Sequence, residues 1–120
     1  MTESTRSARE VLDDHLRESR EGTVENDLKR NYSQNLVVLI ADGVYHGHDG
    51  LRQLAERLFK ELPNPRFEYT TVLVEGEMGL LEWKADSEHA FVDDGADSYL
   101  IRDGKIHAQT IHYTVKVKSK

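Results

Sequence analysis

An α+β fold is expected for this chain of 120 residues. Three observations carry the expectation. Apolar residues recur at helical spacing through most of the first half. A proline pair, Pro63 and Pro65, closes that half. From Arg66 onward the apolar period shortens to two, between turn-forming dipeptides. Helices set apart from a run of strands joined by short turns describe an antiparallel or mixed sheet with helices packed on it.

The elements follow in order. Ser7, with Glu10 three residues on, forms a capping box. Ala8, Val11, Leu12 and Leu16 then mark the apolar stripe of a first helix, with His15 on the same stripe, and Gly22 ends it. Thr23 suits the N-cap of a short second helix, whose inner face would hold Val24, Asp27, Leu28 and Tyr32. Leu36 to Ile40 is an unbroken apolar run, too short for a helix, and reads as a buried strand. Asp42-Gly43 turns the chain into a short extended segment, Val44 to Gly47. Asp49 is expected to cap a third helix with Leu51, Leu54, Ala55, Leu58 and Leu62 inward. The meander after Pro65 is expected as strands from Arg66 to Val74, Met78 to Ala90, Ala96 to Arg102 and Lys105 to Val117. Its turns fall at Glu75-Gly76-Glu77, Asp93-Asp94-Gly95 and Asp103-Gly104, the last a dipeptide favoured in tight hairpins.

Composition narrows the function. Sixteen basic against 22 acidic residues give a formal charge of −6, opposite to the basic stripe that nucleic-acid binding requires. With no cysteine there is no disulfide frame, thiol nucleophile or thiolate-held metal. No apolar run approaches a membrane span or a signal peptide. One soluble, cytoplasmic domain over residues 1–120 is expected, with 1–6 and 117–120 as loose tails. Neither a P-loop, a dinucleotide fingerprint nor a Gly-x-Ser-x-Gly elbow occurs, so nucleotide and acyl-serine chemistry have no footing.

Several motifs, in this order, resemble the SnoaL-like branch of the nuclear transport factor 2-like superfamily, which includes ketosteroid isomerase, scytalone dehydratase, limonene epoxide hydrolase and polyketide cyclases. They are Gly47-x-x-Gly50-Leu51 opening the third helix, Trp83 in the meander, and Gly95-x-Asp97-x-Tyr99-x-x-Arg102-Asp103-Gly104-Lys105-Ile106. The resemblance spans about Ser7 to Val115. It implies a cone: a strongly bent sheet wrapped around three helices, with an apolar cavity between. It also implies a small apolar ligand, no cofactor, and a homodimer through the outer sheet face. Asp97 matches the position of the isomerase's protonated carboxylic acid and of the cyclases' acid/base Asp. His15 aligns approximately with the isomerase's oxyanion Tyr. Ile40 stands where the isomerase carries its proton-shuttling Asp, a departure that tells against steroid-type isomerisation.

Side-chain alternation orders the candidates. If Arg102 pairs with Lys105 across the hairpin, Asp97, Tyr99, Ile101, Ile106, Ala108, Thr110 and His112 share one face, with His112 diagonal to Asp97. The opposite face then gathers Leu100, Ile111 and Tyr113, as a dimer surface would. A one-residue slip would reverse the last strand. Asp97 is the principal candidate, because a carboxyl among apolar groups is pushed toward its neutral form and can then donate or accept a proton near neutral pH. The plainer reading pairs it with His112 or Thr110 for structure alone. His15 or His112 would complete a relay, although a lone buried histidine is more often a hydrogen-bonded core residue. Asp27 and Tyr32 could bond across the cavity mouth. Tyr45, Phe59, Trp83 and Tyr99 are candidate cavity aromatics, and a buried Trp83 needs a partner for its indole N–H. His46 and His48 imitate a metal motif, but no further ligand follows at zinc-site spacing, so no metal is expected.

The expected function is a small-molecule pocket, used for cofactor-free acid/base chemistry of isomerase, cyclase, dehydratase or epoxide hydrolase type on a carbonyl or hydroxyl compound. The alternatives are a non-catalytic ligand-binding module or a dimerisation module of the same fold. A cavity lined by Asp97 and a second titratable group favours the enzyme; an interior filled by side chains favours the others.

Overall fold

In the computed structural model, residues 5–119 are described. Ser7 starts α1 (Ala8–Glu21) through the reciprocal bonds of a capping box: Ser7 Oγ accepts from the Glu10 amide at 3.1 Å, and Glu10 Oε1 accepts from the Ser7 amide at 2.8 Å. Thr23 caps α2 (Val24–Asn31), its Oγ1 accepting from the Asn26 amide. Then come β1 (Tyr32–Ile40), β2 (Gly43–His46), α3 (Gly47–Glu61), β3 (Arg66–Glu75), β4 (Met78–Asp86), β5 (Ala90–Arg102), β6 (Lys105–His112) and β7 (Lys116–Val117). Three helices and a mixed, curved seven-stranded sheet make an α+β fold.

The sheet order is β2-β1-β6-β5-β4-β3, with β7 on β5. β1 and β6 run parallel; the other pairs are antiparallel. Register shifts interrupt four of these ladders, between Tyr32 and Val37, Tyr69 and Thr71, Trp83 and Ala85, and Leu100 and Ile101. Bulges of this kind bend a strand and increase its twist, and the sheet curls so that its inner face receives all three helices. Leu12, Leu28, Leu36, Val38, Val92 and Ile106 are among the fully buried residues of that core.

The Gly47-x-x-Gly50 motif has a steric cause. Gly47 has φ +69°, a left-handed conformation that a side chain resists. A Cβ on Gly50 would lie 3.1 Å from the Tyr45 carbonyl carbon and Cβ, so only glycine lets α3 sit this close to β2.

Several expected boundaries shift. Tyr32 opens β1 instead of sharing the face of α2, yet still points inward. His46, without a side-chain bond, is the N-cap of α3; Asp49 lies in the first turn and accepts from Arg52. The chain turns at Ser87–His89, where the Ser87 amide donates to Ala90 O, and not at Asp93-Asp94-Gly95, which lies within β5. There Asp94 accepts from the Thr114 amide and Asp93 from Lys116 Nζ, so the acidic pair secures the returning chain. Two expected tail segments are docked. Arg6 donates to Asn31 Oδ1, Arg30 O and Gly104 O, and Val117 pairs with Ala90. Residues 1–4 and 120, the remainder of the expected tails, lie outside the described residues.

Candidate functional site

Strand register places one row of side chains across the inner face: Val72 of β3, Leu81 of β4, Asp97 of β5, Ile111 of β6 and Ile40 of β1. The next row holds Gly79, Tyr99, Gln109, Val38 and Tyr45. Over these rows a cavity of about 280 Å³ opens, closed on the other side by Leu16 of α1 and by Leu51, Leu54 and Leu58 of α3. Its walls are aliphatic and aromatic. Its deep end is polar.

Asp97 is the centre of that polar end, with only 8% of its surface exposed. Trp83 Nε1 donates to Asp97 Oδ1 at 3.0 Å; Gln109 Nε2 donates to Oδ2 at 3.0 Å, and the Tyr99 hydroxyl donates to Oδ2 at 3.3 Å. Burial raises the carboxyl from 3.8 to about 6, against the opposing pull of these donors and of His15. The donors hold the group in place while desolvation brings its titration toward neutral pH. Gln109 is itself oriented, because its Oε1 accepts from the Tyr32 hydroxyl at 2.6 Å. The Trp83 ring lies flat on Gly95, where an added Cβ would come within 2.3 Å of ring carbons.

Facing this cluster from α1 is His15. Its Nδ1 lies 2.7 Å from Asp27 Oδ2 and its Nε2 lies 3.2 Å from the Tyr99 hydroxyl. Burial pushes the imidazole down, but the Asp27 charge and hydrogen bond outweigh it, with a further contribution from Asp97, so His15 titrates above 6.5. Asp27 Oδ1 accepts from Asn31 Nδ2 at 2.9 Å. Tyr32 and Tyr99 are raised well above 10, chiefly by burial, and stay hydroxyls.

Six expected site residues thus gather around one polar end: Asp97, His15, Asp27, Tyr32, Trp83 and Tyr99. Phe59 lies on the cavity rim, 41% exposed. Two do not join them. His112 points outward to Asp94, 3.5 Å away, with its side chain 64% exposed. Tyr45 shares a sheet row with Tyr99, but α3 covers it at Gly50 and it meets Arg57 instead of the cavity.

His112 is displaced by a bulge. Arg102 pairs with Lys105 as expected, but Ile101 faces Ile106 while Leu100 faces Ala108, leaving His107 as an extra residue. Every later side chain of β6 changes face. Gln109, Ile111 and Tyr113 turn toward the cavity, and Thr110 and His112 turn away. The expected dimer cluster of Leu100, Ile111 and Tyr113 is therefore split. Sequence reasoning missed Gln109 and Asn31 as well. A buried asparagine at Asp27 + 4 was available as a helix-spaced partner; Gln109 had no local signal once the alternation was assumed unbroken.

Among the described residues no group of three or more His, Asp or Glu is arranged to hold a metal. His48 contacts Tyr32 O through Nε2, and His46 is exposed. None of the described helices is long and apolar enough to cross a membrane.

Similar folds occur among solved structures. An NTF-2 like protein of unknown function from Burkholderia xenovorans superposes with a TM-score of 0.74 at 18% identity, over 94% of this chain and 87% of its own. A candidate polyketide cyclase from Sinorhizobium meliloti gives 0.70 at 14%, over 86% and 94%. TerC, co-crystallised with polyporic acid, gives 0.74 at 15%, over 89% and 91%. At such identities the agreement concerns the fold alone. No curated protein matches the chain. A sequence-family match is more specific: the SnoaL-like domain family covers residues 12–109, which include Trp83, the Gly95–Asp97–Tyr99 run and every cavity-facing group described above except Ile111 and Tyr113. This protein belongs to the SnoaL-like family.

Proposed function

We propose that the protein is a cofactor-free acid/base enzyme that moves a proton on a small, uncharged, largely apolar molecule carrying a carbonyl or hydroxyl group. The carrying observation is Asp97: a buried carboxyl on the cavity floor, fixed by three donors and titrating at about 6. At neutral pH it is mostly ionised and so works as a base, while its protonated form remains accessible for the return step. His15 stands across the polar end as a second titratable group. The hydroxyls of Tyr32 and Tyr99 and the Trp83 ring shape the space around the reacting end, with Asp27 behind His15 and Phe59 at the rim. The volume, about 280 Å³, is close to the lower end of the range of about 300–1,000 Å³ for small-molecule pockets, which favours one- or two-ring compounds. No Lys or Arg lines the cavity among the described residues, and His15, which can carry a positive charge there, already faces Asp27 and Asp97, so a substrate carboxylate would meet Asp97 with little to offset it.

The test is hydrogen exchange at carbon. Small cyclic ketones, hydroxy-ketones and lactones are incubated in D₂O with wild type and with Asp97→Asn, and deuterium uptake is followed by NMR. Wild type accelerates exchange of at least one compound, and Asp97→Asn loses the acceleration by the 10²–10⁴-fold of general acid/base catalysis. Equal rates for the two proteins across the panel overturn the reading.

The proposed homodimer has a register basis. Leu73, Leu80, Ser98, Thr110, Leu39 and Val44 are successive cross-strand partners and form one row over the outer face of six strands. Its four aliphatic members are 38–60% exposed. A second copy of the chain, presenting the same row, would cover it.

A further inference from the structure

Tyr99 stands between two proton-handling groups. Its hydroxyl is 3.3 Å from Asp97 Oδ2 and 3.2 Å from His15 Nε2. A phenol carries one proton, so it donates to one neighbour and accepts from the other. Two arrangements satisfy every atom. In one, His15 is an imidazolium: Nδ1–H donates to Asp27, Nε2–H donates to the Tyr99 oxygen, and the Tyr99 proton points at the Asp97 carboxylate. In the other, Asp97 is a carboxylic acid that donates to the Tyr99 oxygen, the Tyr99 proton points at Nε2, and His15 is neutral with its proton on Nδ1. The two differ by one proton moved between His15 and Asp97 through the phenol, with no change in net charge.

Behind His15 the chain is pinned. Asp27 gives Oδ2 to His15 at 2.7 Å and Oδ1 to Asn31 Nδ2 at 2.9 Å, so both its oxygens are engaged. Asn31, fully buried, cannot turn its amide over, because its Oδ1 accepts from Arg6 Nη1 at 2.9 Å. Arg6 in turn is anchored to Gly104 O and Arg30 O. The ionisable groups facing His15 are Asp27 from α2, Tyr32 from β1, and Asp97 and Tyr99 from β5.

We infer that Tyr99 is a proton shuttle between Asp97 and His15, and that Asp27, held by Asn31 and Arg6, is the positioning residue that keeps a proton on His15 Nδ1 and leaves Nε2 to face the shuttle. Its use in turnover rests on the acid/base function proposed above. Asp97 takes a proton from the carbon beside the substrate carbonyl, and the C–H electron pair becomes the C=C bond of an enolate. Tyr99 gives its proton to the enolate oxygen, and His15 Nε2–H replaces it on Tyr99. One proton has moved from carbon to oxygen, and the site stands in its second arrangement. Return of a proton from Asp97 through Tyr99 to His15 restores the first.

Heteronuclear NMR of the ligand-free protein tests the chain apart from activity, following the His15 ring nitrogens and the Asp97 carboxyl carbon against pH. Wild type is expected to keep Nδ1 protonated throughout and to release the Nε2 proton above pH 6.5. Asp27→Asn moves that release below 6.5, since burial then acts almost alone. Tyr99→Phe moves the Asp97 titration upward, because the carboxylate loses a donor, and speeds exchange of the Nε2 proton. A wild-type His15 protonated at Nε2 alone when neutral, or a Tyr99→Phe protein in which neither group moves, overturns the inference; Tyr99→Phe decides the matter if Asp27→Asn does not fold. Failure of deuterium exchange with the NMR behaviour intact would sink the enzyme and leave the chain of proton contacts standing. Exchange by wild type with Tyr99→Phe silent in NMR would do the reverse.

Discussion

Asp97→Asn has a stability signature that can be worked out in advance. The folded carboxyl titrates at about 6 against 3.8 for its ordinary value. A carboxyl raised on folding binds its proton more tightly in the native state, so its contribution is most favourable below 3.8, declines as pH climbs, and is fully lost above about 6. The whole gap corresponds to about 3 kcal/mol, of which about 2 kcal/mol falls between pH 4 and 6. Asparagine does not titrate. Its single oxygen cannot replace two oxygens that accept from Trp83, Gln109 and Tyr99, but that loss displaces the stability curve at every pH without tilting it. The variant should therefore gain on wild type by about 2 kcal/mol from pH 4 to pH 6. Urea unfolding read by the fluorescence of Trp83, the only tryptophan, measures the difference at each pH. A difference that stays flat, or that moves the other way, would refute the claim that desolvation dominates at Asp97.

Two further outcomes are expected. Gly95→Ala places a methyl 2.3 Å from the Trp83 ring, so it should cost about 1–3 kcal/mol from overpacking, red-shift the Trp83 emission and raise the Asp97 titration; wild-type stability with unchanged emission would show that the ring does not need the glycine. Leu80→Glu, between Leu73 and Ser98 in the outer row, should convert a dimer to a monomer by light scattering while leaving the fold intact by circular dichroism, and a wild type already monomeric at high concentration would remove the dimer.

How much of this was legible beforehand differs between helices and sheet. The capping box at Ser7 and Glu10 states its own geometry in four residues, and the stripe of Val11, Leu12, His15 and Leu16 followed directly from it. Asp97 and Tyr99 also fell on the inner face as expected, because β5 alternates without interruption from Gly95 to Ile101. The last strand failed for a physical reason. A hairpin rule fixes the pairs next to the turn, but one unpaired residue, His107, reverses every side chain beyond it. That single bulge replaced His112 with Gln109 as the neighbour of the carboxylate. Asp93-Asp94-Gly95 misled in a similar way: its composition suits a turn, yet the glycine is there to receive an indole ring, a requirement set by Trp83 on the adjacent strand and invisible in local sequence.

The position of Ile40 narrows the chemistry further. It lies in the same floor row as Asp97, with β6 and Ile111 between them, which sets the two backbones about 10 Å apart at the usual strand spacing. A carboxylate there could carry a proton between distant carbons of a fused-ring substrate; an isoleucine can only pack against the ring. The floor around Ile40 is therefore inert, and the polar groups in hydrogen-bond sequence with Asp97 lie off that row: Trp83 on β4, Tyr99 on β5, Gln109 on β6 with Tyr32 behind it, and His15, Asp27 and Asn31 on α1 and α2. On the proposed reading, the reacting carbon and oxygen of the substrate must both sit at that end, beneath Asp97 and Tyr99, while the remainder of the molecule lies along Ile40, Leu51 and Leu54. Enolisation, dehydration and ring closure at one end of a small molecule meet that condition. A proton carried across a steroid-sized skeleton does not.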